Sequence, residues 1–155
     1  MKRFEFPLET VRRWRLERVG IEELKLRQIL AEKHKLAATK AQIQSELTQT
    51  VQQVIGQSSM QPLELESLDS FRLYIRGRVR DLENQERQCE ARIVEQRNQV
   101  LEARRQFELL ERLRQKAMTE WRAAGNKEQE ELAAELFLAK SIRERNRARH
   151  ANPRS

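Results

Sequence analysis

The sequence predicts an all-α fold, a long antiparallel two-helix coiled-coil hairpin with an overhanging C-terminal helical and basic tail. Three observations carry this. From Ile75 to Ala124, the residues Ile75, Val79, Leu82, Glu86, Cys89, Ile93, Gln96, Val100, Ala103, Phe107, Leu110, Arg114, Ala117, Trp121 and Ala124 recur in alternating strides of four and three, and twelve of these fifteen are apolar. That period marks a helix buried along one narrow seam and solvated elsewhere. A second, weaker series of the same period runs from Leu16 to Val54. Only one strong break, Gly56 to Pro62, lies between them. Neither helix can bury its seam alone, so a short break between them turns the chain back on itself.

In chain order, Phe4-Glu5-Phe6-Pro7-Leu8 opens the first helix, where the missing N–H of Pro7 costs nothing. The first helix is expected over about residues 7–55. Its series is Leu16, Val19, Glu23, Leu26, Leu30, Lys33, Ala37, Lys40, Gln44, Leu47, Val51 and Val54, with Ile29, Leu36 and Ile43 beside the polar exceptions. Gly20 inside it costs about 1 kcal/mol relative to Ala. Gly56-Gln57-Ser58-Ser59-Met60-Gln61-Pro62 begins a connector expected over 56–66, and Ser67 is the expected N-cap of the next helix, with Asp69 in its first turn. The second helix is expected over about 67–124, continuing or breaking at Gly125-Asn126, a C-cap pair. The tail, 127–155, carries Leu132, Leu136 and Phe137 on a thin apolar face and frays at its arginine-rich end near Asn152-Pro153.

A turn centred near Met60 or Gln61 sets residue i of the first helix against a residue near 121 minus i. Val54 then faces the region of Leu68 and Trp14 faces Phe107, while Phe4 and Phe6 approach Ala117 and Trp121 as an aromatic clasp. Roughly fifty helical residues at about 1.5 Å each make a rod on the order of 70 Å long.

The composition agrees with such a rod. The 155 residues are 38% hydrophobic and 35% charged, with eight aromatics, too few for a thick core. No run of eighteen apolar residues exists, so no membrane span is expected. Met1-Lys2-Arg3-Phe4 does not open a signal peptide, and the single cysteine excludes an internal disulfide framework. The expected setting is the cytoplasm. The net charge is +7. Five arginines in the last fourteen residues (Arg143, Arg145, Arg147, Arg149, Arg154) face only Glu144, so the excess is concentrated at one end. This points to an electrostatic contact at that end and not to a surface that tracks nucleic acid.

Little suggests catalysis. His34 and His150 are isolated, Cys89 falls on the seam as an inert thiol, and neither a phosphate-cradling loop nor metal-ligand spacing is present. No enzyme activity and no cofactor are expected. A basic-region zipper is a poor match, because Gly125-Asn126 and the acidic Glu128, Glu130, Glu131 and Glu135 separate the basic end from the seam. Protein–protein recognition remains. At the hairpin tip the candidate contact residues are Met60, Leu63, Leu65, Phe71, Tyr74 and Arg76, the last in a basic run with Arg72, Arg78 and Arg80. The expected core comprises Leu26, Leu30, Leu47, Val51, Val54, Ile75, Val79, Leu82, Ile93, Val100, Phe107, Leu110 and Trp121.

Phe4-Glu5-Phe6-Pro7-Leu8, then Val11 and a run of Arg and Glu, resembles the opening of the FliJ family of flagellar export proteins. So does the arrangement of two long helices with a break near residue 60. The segment from Leu109-Leu110-Glu111 through Trp121 to Glu130-Glu131-Leu132-Ala133 is similar to that family's C-terminal half, although Glu128-Gln129-Glu130-Glu131 lacks the family's frequent Asp. The resemblance implies a rod like the central stalk of rotary ATPases. Its two-terminus end would insert into the ring of an export ATPase, with Arg3, Arg12, Arg13, Arg143, Arg145, Arg147 and Arg149 as the docking cations. The remainder would face the export gate protein in the membrane and bind export chaperones. Membrane association would be peripheral, through these partners only. The alternatives are the equivalent stalk of a virulence-type III secretion system and a generic coiled-coil scaffold or homodimerisation module.

Overall fold

The computed structural model describes residues 2–57 and 59–151; Ser58 of the expected connector and the expected frayed end with Asn152-Pro153 and Arg154 lie outside them. Two helices, α1 (Glu9–Ile55) and α2 (Pro62–Ala151), pack against each other as an all-α hairpin, with no strand among the described residues.

The helix ends follow from local hydrogen bonding. Pro7 and Leu8 form a turn ahead of α1, in which the Glu9 N–H donates to the Phe6 carbonyl at 3.1 Å. The Arg12 N–H then donates to the Leu8 carbonyl at 2.8 Å. The start expected at about residue 7 therefore moves to Glu9, whose carboxylate sits in the first turn, where free N–H groups and the helix dipole favour it. At the other end the Gly56 N–H donates to the Gln52 carbonyl at 3.0 Å, and the helix stops without a left-handed glycine.

The second helix begins earlier than expected. Pro62 takes its first position, so the connector is 56–61 and not 56–66. The Gln61 carbonyl accepts from the N–H groups of Glu64 (3.0 Å) and Leu65 (3.3 Å), and the Glu64 carboxylate accepts from the Gln61 N–H at 3.4 Å. That returning carboxylate is one arm of a capping box. Ser67 and Asp69, expected as cap and first-turn residue, consequently lie inside α2. Farther on, Gly125-Asn126 does not end the helix, which runs unbroken to Ala151. The residues that follow, from Lys127 to Leu138, are mainly Glu, Ala and Leu, which sustain it.

The chain divides into two compact units. In the unit Trp14–Gln106, the buried apolar residues of α2 include Leu68, Ile75, Leu82 and Cys89, seven apart, with Ile93, Val100 and Ala103 continuing the stripe. A strict period of seven keeps one face of a slightly underwound helix on its partner. From α1, Val19 and Ile29 are buried, while Leu26, Leu30, Leu47, Val51 and Val54 are half-buried. Leu16, Ala37 and Gln44, expected on the seam, are exposed; the larger apolar Leu36 and Ile43, one position earlier than the last two, are half-buried. Val54 and Leu68 line one groove beside the connector, as the turn position implies.

Ion pairs across this unit's helices give the register. Arg104 meets Glu23 at 2.6 Å, Arg92 meets Glu32 at 2.8 Å, and Lys33–Glu90 and Lys40–Glu86 each lie at 3.3 Å. The two residue numbers of each pair add to between 123 and 127, against the 121 expected, so each α1 residue pairs with an α2 residue a few positions later than a turn centred on Met60 or Gln61 implies. Trp14, expected to face Phe107, is exposed and carries the Arg15 guanidinium 4.8 Å from its ring centre.

The other unit joins Met1–Arg13 with Phe107–Ser155. Phe4 packs edge-on against Trp121 with ring centres 5.8 Å apart, and the Trp121 indole N–H donates to the Lys2 carbonyl at 3.1 Å. The clasp of Phe4 on Trp121 is therefore present, and Phe6 and Ala117 are half-buried. Phe107 takes the Arg12 guanidinium over its ring, 5.9 Å from the centre.

This packing makes a direct prediction. Ile93→Asp, which places a charge at a buried seam position, is expected to cost ~3 kcal/mol or more, whereas Val94→Asp on the exposed side stays within about 0.5 kcal/mol. Urea unfolding followed by circular dichroism compares the two; equal effects would mean that the seam is misassigned.

Candidate interaction surfaces

The side chains that could carry chemistry are dispersed. Cys89 is a buried free thiol, and His34 and His150 are exposed and distant in sequence. Among the described residues no three His, Cys, Asp or Glu side chains gather as a metal site. What the chain does present is surface.

At the hairpin tip, Leu63 is 71% and Tyr74 63% exposed, and Leu65 and Arg76 are also exposed. Met60 and Phe71 are half-buried. Thr50, Val54, Leu68 and Phe71 line an open groove with Leu63 at its edge. Phe71 therefore belongs to the closing contacts of the hairpin, while Leu63 and Tyr74 face solvent. Arg72 leans on Asp69 at 3.9 Å, and Arg78 and Arg80 are solvated.

The cations expected at the two-terminus end do not form one cluster. Arg12 is committed internally: its guanidinium donates to Glu9 at 2.9 Å and to Glu111 at 3.0 Å while covering Phe107. Glu9 also meets Arg114 at 3.5 Å and Arg13 at 3.5 Å. The Arg12 hydrogen bond chiefly, joined by the charges of Arg12, Arg114 and Arg13, holds the Glu9 carboxyl below its ordinary range, although burial opposes them. Arg3 and Arg13 are exposed. Arg143, Arg145, Arg147 and Arg149 are exposed on the last turns of α2, and Arg143 lies 32 residues beyond Glu111, about 48 Å of helix at 1.5 Å per residue. The arginines of the N-terminal segment and those of the tail are thus two separate surfaces.

One feature escapes the sequence pattern, and a second, the expected overhang, is more broadly apolar than the thin face expected of it. Glu22, at a position the heptad count leaves off the seam, is buried, and it accepts from the Gln96 side-chain amide while its backbone carbonyl accepts from the same amide at 3.0 Å. Lys25 at 3.4 Å and Arg18 at 3.7 Å complete its surroundings. The polar Gln96 on the α2 seam was the available signal, since a seam amide needs a partner. The second feature is the stretch of α2 after Gly125. Every residue from Asn126 to Ala151 is exposed except the half-buried Ser141, yet Leu132, Leu136, Phe137, Leu138 and Ile142 are large and apolar.

No known protein family, no curated protein and no solved structure matches this chain. Among the described residues no helix is long and apolar enough to cross a membrane.

The Glu22 layer carries a pH signature. The Gln96 amide chiefly, with Lys25 and Arg18, draws the carboxyl below its ordinary value of 4.5, although burial opposes them. A carboxyl held lower in the folded than in the unfolded chain stabilises the fold above 4.5, and that stability is lost as pH falls through the lowered value. Urea midpoints should therefore drop between neutral pH and pH values below 4.5, and less steeply in Glu22→Gln. An unchanged slope in the variant would remove Glu22 from the acid response.

Proposed function

We propose that this chain is a non-enzymatic stalk or adaptor of a flagellar-type (type III) export apparatus. It would couple the export ATPase ring to the membrane export gate and assist delivery of chaperone-bound cargo. The observation that carries this reading is the α2 overhang, a continuous helix past Gly125 that no other described residue covers and that carries Arg143, Arg145, Arg147 and Arg149. A helix left bare in this way is built for a partner, and its arginines suit an acidic protein surface. The sequence resemblance to the FliJ family supplies the identity of that partner as an export ATPase ring. The chain would act in the cytoplasm and reach the membrane only through its partners.

The exposed tip residues Leu63, Leu65 and Tyr74 offer a second contact, suited to the gate or a chaperone. Arg12 drops out of the docking set because its charge is already spent on Glu9 and Glu111. Arg3 and Arg13 stay in it.

The test is binding of the purified chain to a hexameric export ATPase, monitored by fluorescence anisotropy. Changing Arg143, Arg145 and Arg147 together to Glu is expected to weaken binding about tenfold or more, mainly through slower association, with helicity unchanged. Absence of binding by the unaltered chain would overturn the stalk reading. Binding to the ATPase of a virulence-type system in place of the flagellar one would move the protein to that apparatus.

A further inference from the structure

We infer that the α2 overhang is an antiparallel docking surface for the same overhang of a second copy of this chain. The inference does not depend on the export-stalk reading.

The overhang has three consecutive parts. From Lys127 to Glu131 three glutamates (Glu128, Glu130, Glu131) outnumber one lysine. Leu132 to Ala139 is apolar at every position except Glu135, and this block wraps most of the helix circumference over two turns. From Lys140 to Arg149, five cations face the single Glu144. Leu136 is 71% and Phe137 70% exposed. An all-round apolar helix segment is the pattern of a buried helix, and nothing within the described chain buries this one.

The stripe that is covered within the terminal unit leads into this region. Arg114, Met118 and Trp121 are half-buried and Gly125 is buried, at strides of four, three and four. Carried forward with a second stride of four after Gly125, the same face bears Gln129, Leu132, Leu136, Ala139, Arg143 and Asn146. The seam is thus continuous, but its cover ends at Gly125.

Charge selects the occupant. Side by side and parallel, two overhangs would oppose glutamates to glutamates and arginines to arginines. Antiparallel, the acidic part of each lies along the basic part of the other, on both sides of a two-fold axis between Phe137 and Leu138. At that alignment Leu136 meets Ala139 of the second copy, Gln129 meets Asn146, and the aliphatic stem of Arg143 covers Leu132. Ile142 and Ala133 flank the seam. Glu131 against Glu144 is the one like-charged level. The surface is self-complementary, as an isologous two-fold contact requires.

The experiment uses the full chain. Sedimentation velocity should show a concentration-dependent dimer, weakened at least about tenfold by Leu132→Glu with Leu136→Glu. Charge variants guard against a folding artefact. A chain with Glu128, Glu130 and Glu131 changed to Lys, and one with Arg143, Arg145 and Arg147 changed to Glu, should each be monomeric with unaltered helicity, and should dimerise when mixed. For orientation, in a Cys89→Ala background, Gln129→Cys and Asn146→Cys chains should cross-link to each other and not to themselves. A wild-type chain that stays monomeric, charge variants that dimerise alone as well as the wild type, or Gln129→Cys chains that cross-link to themselves would each overturn the proposal.

Discussion

A single stripe, repeated every seven residues on α2, is the constraint on which the rest of the structure depends. Leu68, Ile75, Leu82 and Cys89 occupy it in succession, and Ile93 and Val100 repeat the same interval beside them. A two-helix contact has no third layer to enclose it, so even these residues keep a few per cent of their surface in water. Stability therefore accumulates along a line, turn by turn, and each apolar position counts separately. It also explains how so charged a chain can fold: every face except one can be polar without cost.

A uniform apolar stripe would let two helices slide past one another by whole turns. The polar residues interrupting this one act against that. Glu22 is buried and bound to Gln96, Lys40 reaches Glu86, and Arg12 ties Glu9 to Glu111 over the Phe107 ring. Shifting any of these by one turn would leave a charge or an amide partly buried without its partner, a penalty larger than the gain from an ordinary surface pair. Polar seam residues fixing register is their best-attested use in coiled coils. One oxygen of Glu86 is buried without a hydrogen bond, a local cost accepted at that layer.

The functional reading follows from where this scheme stops. The apolar stripe of α2 does not end with its intrachain partner; it goes on past Gly125 into a helix that, among the described residues, is exposed at every position but Ser141 and carries acidic, apolar and basic parts in turn. Such a segment has a structural role only in company. A protein partner with an acidic surface and a second copy of the chain both answer its chemistry, and the same arginines would serve either, so the two associations would compete.

The sequence by itself determined the helical class, the heptad stripe of α2, the place of the turn and the aromatic clasp of Phe4 on Trp121. Each of these depends on spacing or on residue type, which are local properties. Tertiary structure decided the rest. Gly125-Asn126 reads as a helix end, yet α2 continues through it, because a glycine that keeps right-handed geometry does not stop a helix flanked by strong helix formers. On α1, where apolar residues are sparser, the stripe could be drawn through Ala37 and Gln44 or through Leu36 and Ile43, and only the partner helix chose the larger pair. Arg12 looked like a free docking cation until Glu111, ninety-nine residues away, was brought to 3.0 Å from it. Charge and hydropathy are written in each residue, but whether a charge is spent or free depends on which distant residue the fold sets beside it.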